Sequence, residues 1–128
     1  MIRSSLIFIA LFSLIYGLVF LIIPNFFVEL SEAKPINVAW LRNIGASISG
    51  VLFLGLILIY LNPSKNNDLF LVITITSVLQ SMGLIFSRFY NEFSAQKTII
   101  IDLTIYSAII VSLYLIYILL NYTSIFKK

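Results

Sequence analysis

The chain has 128 residues, of which 61% are hydrophobic and 10% charged, with eight basic and five acidic side chains and a net charge of +3. A soluble domain is nearer about 45–50% apolar and about 25% charged, and one this small hides only about two-thirds of its surface. A soluble globular enzyme, a disordered chain and a collagen-like chain are therefore excluded. The absence of cysteine and histidine removes disulfides, thiolate nucleophiles and thiolate metal sites, as well as the commonest general base and metal ligand. No cofactor or metal site is expected.

A bilayer core about 30 Å thick needs about 20 helical residues at 1.5 Å each. The first run of that length is Ser4–Ile23, closed by Pro24. Arg3 ahead of it resembles the start of a signal peptide. The run, however, exceeds the about 7–15 apolar residues of such a segment, and no small-residue cleavage site follows, so it reads as an uncleaved span. Next comes the longest connection, Asn25–Val38, where Phe26, Phe27 and Leu30 are interspersed with Glu29, Glu32 and Lys34. It reads either as a short amphipathic helix in the interface or as an ordinary loop with apolar anchors. The second span is Ala39–Leu61, closed by Asn62 and Pro63; the third is Leu69–Phe89; the fourth is Thr98–Leu120. Pro24, Pro35 and Pro63 all fall between runs, where a missing N–H does no harm. None of the runs alternates in polarity as the strands of a membrane barrel do. The expected fold is all-α, an integral-membrane four-helix bundle forming one domain over residues 1–128.

The basic residues sit singly at the ends of apolar runs, so they are topology determinants and do not form a phosphate-tracking patch; no nucleic-acid partner is expected. Four spans place both termini on one side, with Arg3, Lys65, Lys127 and Lys128; the loops of the other side carry Lys34 and Lys97. That excess predicts a multi-pass protein of the cell (inner) membrane with cytoplasmic termini. Adding Arg42 and Arg88, near helix ends on the second side, equalises the count. Tyr60, Tyr90, Tyr122 and Trp40 lie near span ends and read as interface anchors.

The polar residues within the spans carry the functional expectation. Arg42 and Asp102 lie near the starts of the second and fourth spans, about 5–6 Å inside the boundary. Arg88 ends the third span, and Gln80 is two turns deeper. All are on the side opposite the termini. Asp102, with its short side chain, reaches the interface least easily and most needs a partner, which Arg42 or Arg88 can supply through a bidentate guanidinium. Arg42, Gly45, Ala46 and Ser49 share one helical stripe; so do Thr76, Ser77, Gln80 and Ser87; Asp102 and Tyr106 are one turn apart; Ala10, Ser13 and Gly17, with Tyr16 beside them, form a milder stripe. Together these predict a polar pocket open to one face, with Arg42, Asn43, Gln80, Arg88, Asp102 and Tyr106 as ligand-binding residues. The competing reading is structural. The glycines, Gly17, Gly55 and Gly83 included, serve helix packing, and an Arg–Asp pair fixes helix order and depth.

Gly17 followed by Pro24, the stretch Leu41-Arg42-Asn43-Ile44-Gly45-Ala46 and an acidic residue early in the last span resemble a family of small four-span bacterial membrane proteins of unknown function, loosely akin to the DoxX-like proteins. That family places a basic residue in the third span and a glutamate in the fourth. Gln80 or Arg88 stands for the first here and Asp102 for the second. The resemblance implies the architecture and no reaction.

The leading expectation is a non-enzymatic membrane protein that binds a lipid, a small amphiphile or a partner subunit. Guanidinium groups would recognise an anion while Asp102 holds the arginines. Membrane lipids, a second copy of the chain or another membrane subunit are the expected partners. The alternative is a membrane enzyme acting on a lipophilic substrate, with Tyr106 as general acid. Against it, the second span lacks the extra acidic residue that glutathione-using four-span enzymes carry. A proton-coupled exporter ranks third, because it needs a carboxylate at mid-depth.

Overall fold

The architecture was read from a computed structural model of the chain, which describes residues 2–34 and 38–126. Pro35, Lys127 and Lys128, read above as a loop proline and topology charges, lie outside them. In lipid every backbone N–H and C=O must be satisfied within its own segment, so these apolar runs become helices. Four are long and apolar enough to cross a membrane, Arg3–Ile22, Ala39–Leu61, Asn67–Phe89 and Ile99–Leu120, and the chain is a multi-pass membrane protein.

Helix α1 covers Ile2–Ile22. Pro24 does more than end it. Ile23 leaves the helical conformation (φ −124°, ψ 54°), as the α region is disfavoured before proline, and Pro24 opens the short helix α2, Pro24–Leu30, where its fixed φ suits the first turn. Of the expected connection Asn25–Val38, the part up to Leu30 is helical and Ser31 and Glu32 form a turn. The second span is α3, Ala39–Ser47, then a π-helical segment, Ile48–Phe53, then α4, Leu54–Leu61. A 3₁₀ turn at Pro63–Lys65 leads to the third span, α5, Asn67–Phe89. The fourth span is α6, Ile99–Leu120, followed by α7, Tyr122–Phe126.

The four spans pack as two pairs. Helix α1 lies along the whole second span, and α5 lies along α6. The first pair is joined through glycine. A Cβ on Gly45 would come within 2.6 Å of the Gly17 carbonyl oxygen and the Leu21 nitrogen, so only glycine permits this backbone approach. Ser49, in the π-helical segment, rests against Gly17, and its buried hydroxyl has no partner among the described residues. The second pair is joined by a buried hydrogen bond of 2.8 Å between Ser81 and Ser112. Packing thus explains Gly17 and Gly45, and also Gly55, which faces Ile73. It does not explain Gly50 and Gly83, where an added Cβ would meet nothing within 4 Å.

The pairs meet at the terminus side, where α4 contacts α5. Leu6, Leu56, Ile59, Phe70, Ile73 and Leu115 form a dry core there. Tyr122 belongs to this core and is not a surface anchor. It is 7% exposed, packs at a tilt against both Phe70 and Phe126, and donates a hydrogen bond of 2.5 Å to the Pro63 carbonyl. Burial raises its phenol above the ordinary value. Trp40 and Tyr90, by contrast, point outward, each 68% exposed, as interface anchors do.

Candidate functional site

At the other end the two pairs separate around a cavity of about 420 Å³. All four spans contribute wall residues. Phe12, Ser13, Tyr16 and Phe20 come from α1, and Leu41, Ile44, Ile48 and Leu52 from the second span. Ser77, Gln80, Gly83 and Ser87 come from α5, and Thr104, Ser107, Ala108 and Ser112 from α6. The volume lies within the about 300–1,000 Å³ of small-molecule sites, and the mixture of apolar wall with a few polar groups is the usual one.

Two loops meet at this end and are together called the lid. Helices α2 and α5 each end in a residue of left-handed conformation, Glu32 (φ 49°) and Asn91 (φ 55°). In both, the main chain closes in the same way. The residue that follows the left-handed one donates to a carbonyl five residues back, Ala33 to Val28 and Glu92 to Ser87, while the left-handed residue itself donates to Glu29 or Arg88. This pair of hydrogen bonds satisfies carbonyls that a helix end otherwise leaves bare, and it turns the chain across the bundle. The turned segments then meet. Ala33 bridges Ala95, the Lys97 N–H donates 3.1 Å to the Ser31 carbonyl, and Lys97 pairs with Glu32. From this lid Phe27 and Phe93 reach the cavity, and Phe27 packs edge-on against Phe20 at 4.8 Å.

The six expected ligand-binding residues are distributed over this end and do not form one cluster. Asp102 is held by Arg88, whose Nε donates at 2.7 Å and Nη2 at 3.4 Å. Arg42 is elsewhere. Its Nη1 donates at 2.6 Å to the Leu21 carbonyl in the last turn of α1. A cation there satisfies a bare carbonyl and complements the negative end of the helix dipole. The expected arrangement, one carboxylate holding two arginines, is therefore replaced by one pair and one helix cap. Asn43 is exposed, and Tyr106 is 63% exposed on the outer face of α6. Of the six, only Gln80 lines the large cavity. Arg88 lines a smaller recess of about 150 Å³ with Asn91, Ser94 and Thr98; it adjoins the large cavity through Phe93 and Ile101, which border both.

Of the α5 stripe, Ser77, Gln80 and Ser87 line the cavity and Thr76 does not; of the α1 stripe, Ser13 and Tyr16 line it, while Ala10 and Gly17 do not. The polar face of α6 went unread. Thr104, Ser107, Ala108, Val111 and Ser112 recur at helical spacing and all line the cavity. These residues lie on a different face of α6 from Tyr106, which is 63% exposed. Tyr16 hydrogen-bonds Thr104 across the cavity. Because Thr104 gives its own proton to the Ile100 carbonyl at 2.8 Å, the Tyr16 phenol is the donor. No group of three or more histidine, cysteine or carboxylate side chains is close enough to hold a metal ion among the described residues. No family model, curated protein or solved structure matches the chain.

Proposed function

We propose that the protein holds a lipid-like amphiphile inside the membrane, in the cavity between its two helix pairs. One observation carries this reading. The same helices that bury a dry core at the terminus side line about 420 Å³ of space at the other, walled by all four spans and bordered by Phe27 and Phe93 of the two loops. A purely structural bundle gains dispersion energy by closing such space. On this reading the lid side faces away from the cytoplasm, as the loop charges at the two faces favour, and the ligand enters from the surrounding lipid of the cell membrane.

The test is to fill the cavity from two sides. Gly83→Phe on α5 and Ala108→Phe on α6 each place a ring in it. The proteins are purified in mild detergent, and co-purified small molecules are read by native mass spectrometry. Wild type is expected to carry a bound amphiphile that both variants lose while remaining folded. An unchanged bound fraction in both folded variants sinks the reading.

A further inference from the structure

The polar groups of the cavity wall differ in what they have left to offer. Thr104 and Ser107 give their protons to main-chain carbonyls of their own helix, at 2.8 Å each. Ser13 does the same to Ile9, and Ser81 and Ser112 bond each other. The walls formed by α1 and α6 are thus largely self-satisfied. Helix α5 is not. Ser77, Gln80 and Ser87 line the cavity, yet none of their side chains has a partner among the described residues. Ser77 is only 6% exposed and Gln80 partly buried, and neither polar end is fully enclosed by protein, so both are open to a molecule in the cavity. A hydroxyl or amide that faces apolar surroundings without a partner is costly, and such groups are ordinarily hydrogen-bonded.

Resting on the amphiphile reading, we infer that Ser77 and Gln80 form the head-group site for an uncharged amphiphile whose head is a hydroxyl or carbonyl oxygen. Their Cα atoms are about 4.5 Å apart along the helix, one turn, so one small head reaches both. The Gln80 amide donates to the head oxygen and its carbonyl accepts a hydroxyl proton; the Ser77 hydroxyl does either. The apolar body runs toward the lid, where Phe20, Phe27 and Phe93 provide an aromatic wall. Gly83, one turn nearer the lid than Gln80 and without a side chain, keeps that path clear.

The same geometry argues against an anionic head. No charged side chain lines the large cavity among the described residues. The nearest guanidinium, Arg88, already faces a carboxylate at 2.7 Å, so the adjoining recess presents a neutral pair. An anion moving inward loses its hydration and gains no countercharge.

The test compares two 16-carbon probes with the same diazirine in the tail, one an alcohol and one a permanently charged sulfonate. Each is photo-crosslinked to the full-length protein in lipid nanodiscs, and the labelled peptides are identified. The alcohol is expected to label the walls of α5 and α6, with at least tenfold less sulfonate at the same positions. Gln80→Leu should reduce alcohol labelling about tenfold, with Gln80→Asn retaining part of it. Sulfonate labelling equal to that of the alcohol, or unchanged alcohol labelling in folded Gln80→Leu, overturns the neutral-head site. If the sulfonate labels the cavity and Gly83→Phe blocks it, the cavity reading survives and the neutral head alone fails. If neither probe labels the cavity, both readings fall.

Discussion

Toward the termini, Leu56, Phe70, Ile73 and Leu115 have no exposed surface; toward the lid, the same four spans stand apart around Gln80 and a ring of hydroxyls. The two ends also differ in what holds them. The terminus side rests on dispersion and burial, with Tyr122 fixing the turn at Pro63. The lid side rests on directional bonds. Both ion pairs among the described residues, Arg88 with Asp102 and Lys97 with Glu32, are there, as are all three left-handed non-glycine residues, Glu32, Asn91 and Ser94. A membrane bundle draws little hydrophobic stabilisation between helices already solvated by lipid. One tightly packed end therefore lets the other stay apart, and the lid bonds set how far apart.

Substitutions at the two ends should separate these roles. The largest loss is expected for Phe70→Ala, a fully buried ring whose removal leaves a cavity worth about 3–5 kcal/mol. Reversible unfolding in mixed micelles measures it; a loss under about 1 kcal/mol would show that the terminus side is not the stabilising half. Next is Gly45→Val. Its Cβ would sit 2.6 Å from α1 backbone atoms, which cannot rotate away, and about 1–3 kcal/mol of overpacking strain is expected. Crosslinking between α1 and α3 should weaken in parallel.

A smaller effect, about 1 kcal/mol, is expected for Tyr122→Phe, which leaves the Pro63 carbonyl without its donor. This site also carries a pH signature. Burial raises the folded-state phenol above its unfolded value of about 10. Between the two values the folded protein holds the extra proton, so the contribution is complete below pH about 10 and is lost as pH rises through the folded value. The alkaline loss of stability should shrink in Tyr122→Phe; an identical pH profile counts against a buried, protonated Tyr122. The smallest change, and the only gain, belongs to the lid side. Gly83→Ala adds a methyl where nothing lies within 4 Å, so the helix propensity of alanine should raise stability by about 0.5–1 kcal/mol. A loss there would mean that the cavity end is packed more tightly than its wall residues indicate.

Much of this was legible before any coordinates. Span number and limits followed from run length, because bilayer thickness leaves few alternatives. The structural ends differ by only a residue or two, at Ile2–Ile22, Asn67–Phe89 and Ile99–Leu120. The need of Asp102 for an arginine was also legible from its short side chain. Which arginine was not, because that depends on the order of the helices around the bundle, and helical spacing carries no such information. Arg42 lies at a similar depth but on the pair to which α6 does not belong, within reach of the end of α1 instead. The inward stripe of α5 could be read from Ser77, Gln80 and Ser87. The matching stripe of α6, Thr104, Ser107 and Ser112, has the same helical spacing, but hydroxyls that can bond their own helix do not by themselves mark an inward face. The π-helical segment at Ile48–Phe53 has no sequence mark that distinguishes it from the α-helix on either side.

The pairing of the spans has a consequence for biogenesis. The first two helices meet backbone to backbone through Gly17 and Gly45, contacts complete within the first 61 residues. The last two meet through Ser81 and Ser112, contacts complete within the second half of the chain. Each hairpin can therefore dock internally as soon as it has been inserted, without waiting for the other. The cavity cannot, because its walls come from both hairpins and its roof from the loop inside each. Whatever it binds meets a finished receptor only after the second hairpin has been inserted and has found the first, so the site assembles later than either hairpin.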